Sequence, residues 1–105
     1  MRIVITEAHA LHLADVEVLD DLRVVSELRP ADWTAVDEVL RDAGAGNVSD
    51  GHALLSVKWL RATATRAGVP ARWEAQFLGM LAYADRQGWM STDGSVRAHV
   101  EWSQG

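Results

Sequence analysis

Near its C-terminus the chain reads Trp89-Met90-Ser91-Thr92-Asp93-Gly94-Ser95-Val96-Arg97-Ala98-His99-Val100-Glu101-Trp102, an Asp-Gly dipeptide between two runs of strand formers. No other stretch constrains the fold as strongly. A two-residue type I′ turn needs positive φ at both central residues, and Asp-Gly is among the few pairs that supply it. With Asp93-Gly94 as the turn, Thr92 faces Ser95, Ser91 faces Val96, Met90 faces Arg97 and Trp89 faces Ala98. Opposed residues share a face, and side chains alternate with a period of two. One face therefore collects Trp89, Val96, Ala98, Val100 and Trp102, which demand burial. The other collects Met90, Thr92, Arg97, His99 and Glu101. A slip of one residue would bury an arginine, a histidine and a glutamate together.

Two prolines mark the helices. Arg29-Pro30-Ala31-Asp32-Trp33 opens the first, with Pro30 at the first helical position and Asp32 in the first turn, where negative charge suits the dipole. Trp33, Val36, Leu40 and Ala43 follow at helical spacing, and Gly44-Ala45-Gly46-Asn47 ends the element. Pro70 opens the second, and Trp73, Phe77, Met80, Leu81 and Ala84 form its apolar stripe as far as Gly88. Arg2 to Thr6 is a β-branched run and reads as an opening strand. From His9 to Ser26 the pattern fits two strands meeting near Asp20-Asp21, or a helix through part of the region. Ser49 to Leu60 fits both periods. As a strand it sends Leu55, Val57 and Trp59 inward; as a helix it stripes Ala53, Val57, Leu60 and Ala64. The strand is preferred, with Arg61 to Val69 as a loop or short helical turn.

These elements predict an α+β domain spanning residues 1–105, a small antiparallel sheet with two main helices packed on one face. Trp33, Trp59, Trp73, Trp89 and Trp102 are assigned to the sheet–helix interface or a binding groove, since each buries a large apolar area. The alternative is a winged helix-turn-helix. In that reading Ala64-Thr65-Arg66-Ala67-Gly68-Val69-Pro70 is the turn, the hairpin is the wing, and Lys58, Arg61, Arg66 and Arg72 face phosphates.

Composition excludes several function classes. The chain has no cysteine, so disulfides, thiol redox chemistry and Cys-based zinc sites are ruled out. It carries no P-loop, GxGxxG or GxSxG pattern, which argues against ATP-dependent and dinucleotide chemistry. The amino terminus lacks a signal-peptide pattern and no apolar run reaches membrane-spanning length, so a cytoplasmic location without membrane attachment is expected. The net charge of −5 argues against nucleic acid as a partner. It is unevenly spread: residues 1–49 hold four arginines against ten acids, and residues 50–105 six basic residues against five acids. An acidic front and a mildly basic back favour an anionic ligand or an oppositely charged protein, and homo-oligomerisation is left open.

The candidate chemistry centres on the hairpin. Arg97, His99 and Glu101 stand at alternate positions, roughly 7 Å apart. Arg97 can hold a carboxylate or phosphate, His99 can move a proton, and Glu101 can orient it. The competing reading is a solvated edge whose charges discourage pairing with other chains. His52, Trp59 and Arg61 complete the set as ligand-binding candidates, with His52 able to share a cleft with His99. Glu7, His9, His12 and Asp15 lack the spacing of a zinc motif, so neither a metal nor a cofactor is expected. Three functions remain: a binding module for an anionic small molecule or a protein partner on the sheet side, a small acid/base enzyme using His99, and a winged-helix DNA binder.

Overall fold

The computed structural model describes residues 1–103. In chain order its elements are β1 (Arg2–Ile5), β2 (Leu11–Ala14), β3 (Arg23–Ser26), α1 (Trp33–Asp42), β4 (Gly46–Ser49), β5 (His52–Ser56), α2 (Val57–Arg66), α3 (Trp73–Arg86) and β6 (Ser95–Trp102). The six strands form one sheet in the order β2-β1-β3-β6-β5-β4. β1, β3 and β6 run parallel, while the β1–β2, β5–β6 and β4–β5 pairs are antiparallel. The α+β class holds, but the sheet is mixed rather than small and antiparallel, and three helices accompany it. The correction has a physical origin. A parallel pair needs a long crossover, and β3 reaches β6 through α1, β4, β5, α2 and α3. Nothing local in β3 or β6 announces that pairing.

Period-two sorting builds the sheet. Ile3, Ile5, Val24, Ala53, Leu55, Val96, Ala98 and Val100 are buried on one face, in one core with Val36, Val39 and Leu40 of α1, Leu60 and Ala64 of α2, and Trp73, Phe77 and Ala84 of α3. All three helices therefore cover that face. On the opposite face no residue from Arg2 and Val4 across to His52 and Leu54 is buried, so that face is open. The hairpin places Arg97, His99 and Glu101 there as expected, yet β6 is a central strand between β3 and β5, not an edge.

The turn differs from expectation by one residue. Met90, not Ser91, stands opposite Val96, and Ser91 N–H donates to the Ser95 carbonyl. The connection is thus three residues, Thr92-Asp93-Gly94, with only Gly94 at positive φ (86°). Asp93 keeps negative φ and its carboxylate accepts from Ser95 N–H at 3.1 Å, while Gly94 N–H donates to Ser91. The type I′ turn occurs at the chain's other Asp-Gly. Asp50 (φ 50°) and Gly51 (φ 75°) link β4 to β5 with Ser49 opposite His52.

The ambiguous stretch holds both elements in succession. Alternation ends at Ser56, whose hydroxyl accepts from Trp59 N–H at 3.1 Å and caps α2. Val57 to Arg66 is helical, so the strand does not run through Trp59, and of the loop or short helical turn expected from Arg61 the helical form occurs, as the second half of α2. In α1 the expected first-turn Asp32 is the N-cap itself, accepting from Ala35 N–H at 3.1 Å, and Pro30 precedes the helix. α3 likewise begins at Trp73, three residues after Pro70. Between Asp15 and Asp21 the chain is a loop, so β2 and β3 do not meet at a tight Asp20-Asp21 turn. The strand order explains the loop: β2 and β3 flank β1 on opposite sides, and the chain must pass beneath the start of β1 to join them.

Candidate functional site

The open face is organised in rows set by the register. Arg2, Arg23 and His99 are consecutive partners across β1, β3 and β6. The register that pairs Ala53 with Ala98 carries His52 opposite His99. The next row sets Arg97 beside Leu54 and Asn47, and on the other side Glu101 lies in line with Val25, Val4 and His12. Neighbouring strands lie about 4.8 Å apart, so each row is a line of side chains within mutual reach. A row of like charges is unfavourable unless counter-charges intervene, and the first two arginines have them. Arg2 Nε is 2.8 Å from Asp15, and Arg23 is 3.6 Å from Asp21 and 3.3 Å from Glu101. Arg97 is different. Its guanidinium has neither an ion pair nor a hydrogen bond among the described residues, although it is exposed at the middle of the sheet.

Beside Arg97 the sheet is incomplete. β3 pairs with β6 only from His99 onward, so the flank of β6 below that point is left to Trp89, Met90 and the 15–22 loop. Arg97 N–H donates to Trp89 at 2.8 Å there. A cleft of about 910 Å³ opens between this flank, the loop and the second half of α3. Val18, Leu19, Leu22, Met80, Tyr83, Ala84, Trp89 and Val96 supply its apolar walls, and Glu17, Asp20, Gln76 and Arg97 its polar groups. Tyr83 and Trp89 meet edge to face with ring centroids 5.8 Å apart.

The loop wall is held from several sides. Trp73 Nε1–H donates to Val16 at 2.6 Å, and the Trp73 ring stacks on Phe77 at 4.6 Å. Arg72 reaches Glu17 at 3.5 Å, and Asp15 is tied to Arg2. The Met1 ammonium donates to the Val18 carbonyl and, at 3.2 Å, to that of Asp21. Burial lowers this ammonium below the ordinary α-amino pKa, with Asp21, Asp15 and Asp20 pulling it back. These tethers make the cleft a preformed feature.

The expected site residues divide. Arg97, His99 and Glu101 share the open face, and His52 joins them as the half-buried first residue of β5, its Nδ1 3.2 Å from the Asp50 carbonyl. Glu101 is drawn to Arg23 rather than to His99. Trp59 and Arg61 lie in the helical layer instead. Arg61 Nε is 3.0 Å from Glu74, and its guanidinium lies 5.6 Å from the Phe77 ring centroid, a clamp between α2 and α3. Among the described residues no group of three or more His, Cys, Asp or Glu is placed to hold a metal, and no helix is long and apolar enough to cross a membrane. The cleft and its loop wall were not anticipated; Leu19 and Leu22 beside Asp20-Asp21 were their only trace in the sequence. No family model, curated protein or solved structure matches the chain.

Proposed function

We propose that this domain is a binding module that accepts an anionic small molecule on the sheet side, with Arg97 as the principal contact and His99 and His52 beside it. One observation carries the reading: Arg2 and Arg23 on the same face are neutralised by carboxylates, and among the described residues Arg97 is not. A guanidinium presents several donors in a fixed fork matched to carboxylate or phosphate, so a free one at a central strand is a ready anion contact. Two other readings have less support. Acid/base catalysis by His99 asks for an orienting carboxylate, and Glu101 is engaged by Arg23. DNA binding through the helices asks for free cations, and two of the four that reading uses, Arg61 and Arg72, are paired with Glu74 and Glu17.

The test is an NMR titration with acetate and with inorganic phosphate at low ionic strength. Saturable shifts clustered at Arg97, His99 and His52, abolished in Arg97→Gln, are expected. Shifts spread evenly over the surface, or unchanged in Arg97→Gln, contradict the reading.

A further inference from the structure

We infer that the ligand is an organic monocarboxylate with an apolar body, its carboxylate on Arg97 and its body in the cleft between the 15–22 loop, α3 and Trp89. The inference rests on the anion-binding reading and goes further by naming the chemical class. Three observations select it. The cleft reaches the strand position that carries the free guanidinium, since Arg97 is itself part of its lining. The remaining wall is dominated by apolar and aromatic groups, among them Leu19, Met80, Tyr83 and Trp89, so most of a ligand's buried surface there is hydrocarbon. The volume of about 910 Å³ suits a body of many carbon atoms, far more than an inorganic ion or acetate fills.

The charges on the rim choose among anions. Asp20 and Glu17 line the same cleft, and Glu17 is partly answered by Arg72 at 3.5 Å. A doubly charged phosphate meets one arginine and two carboxylates, a poor balance. A monocarboxylate needs only one cation, and the transfer of its body from water supplies the rest. Val18 (48% exposed) and Tyr83 (50% exposed) show how much apolar surface the cleft presents to water. Closure over a hydrocarbon body removes that exposure.

The experiment is a chain-length series of acetate, butanoate, hexanoate and octanoate, with 1-octanol and inorganic phosphate as controls. Binding is followed by the Trp89 indole and Arg97 side-chain resonances in the wild type, Arg97→Gln and Tyr83→Ala. Each added methylene is expected to tighten binding about fourfold, the equivalent of ~0.8 kcal/mol per buried CH₂. Arg97→Gln is expected to weaken octanoate at least tenfold and leave 1-octanol unchanged, and Tyr83→Ala to flatten the chain-length dependence. Both side chains are exposed, so neither change threatens folding. If acetate and phosphate bind at Arg97 with no gain along the series, the monocarboxylate assignment is overturned and the anion-binding reading survives. If no anion moves Arg97, both fail. A chain-length gain that ignores Arg97→Gln overturns the placement of the carboxylate.

Discussion

The two flanks of the sheet's second half are finished in opposite ways. At the outer edge, β4 is held closely by β5 on one side and by α1 through a hydrogen bond. Gly46, at φ 154°, lies so close to β5 that a Cβ there would sit 1.9 Å from the Leu54 carbonyl oxygen. Asp37 of α1 reaches over to accept from Val48 N–H at 2.7 Å, occupying a donor that the edge strand would otherwise expose. Beside the start of β6 no such closure exists. Trp89, the 15–22 loop and α3 surround a cleft, and Arg97, the sheet arginine without a counter-ion among the described residues, is part of its lining. The protein can seal a gap with backbone-tight packing, and here it leaves one open and holds its wall in place from several sides.

Substitutions test that contrast. Gly46→Ala puts a methyl against backbone and is expected to cost more than about 3 kcal/mol, read as a lowered urea midpoint. Survival of the fold with little loss would break the claim that the β4 flank is tight. Trp73→Phe removes the indole donor from Val16 and is expected to cost about 2 kcal/mol. Its hydrogen exchange should rise in residues 15–22 and not in β4, which separates a local wall from a global weakening.

Asp37→Asn sharpens the closed side and is expected to cost about 1 kcal/mol at neutral pH. The hydrogen bond from Val48, followed by that from Arg41, holds the Asp37 carboxyl below its ordinary pKa despite some opposing desolvation. A depressed folded pKa means that the unfolded chain binds the proton more readily. The stability from Asp37 is therefore full above the ordinary carboxylate range near pH 4 and is lost as pH falls through the depressed value. Asp37→Asn should flatten that acid limb of the stability curve; an unchanged limb would show that the carboxylate is idle. Arg97→Gln comes last, with an expected change in stability under about 0.5 kcal/mol because nothing in the fold depends on it. A larger loss would mean that Arg97 has a structural partner after all.

What could be read from the sequence was local. The alternation of Val96, Ala98 and Val100 with Arg97, His99 and Glu101 fixed the faces of β6, and apolar spacing located α1 and α3. Identical dipeptides misled because a turn is chosen by its neighbours. At Asp93-Gly94 the Asp93 carboxylate bonds Ser95 N–H and the connection lengthens by a residue, while Asp50-Gly51 takes positive φ at both positions. The strand-to-helix change at Ser56 had a signal, a serine placed to cap the turn that follows, hidden inside a continuous apolar run. The parallel pairing of β3 with β6 and the cleft beside it had none. Both arise from long-range contacts, and the state of Arg97 is defined by which acids the fold brings near its neighbours.

The most direct measurement is the affinity for octanoate at low ionic strength, wild type against Arg97→Gln, by isothermal titration. Saturable one-site binding is expected, weakened at least tenfold by the substitution, with an unchanged urea midpoint. Equal affinity in the two proteins, or no binding to either, would contradict it.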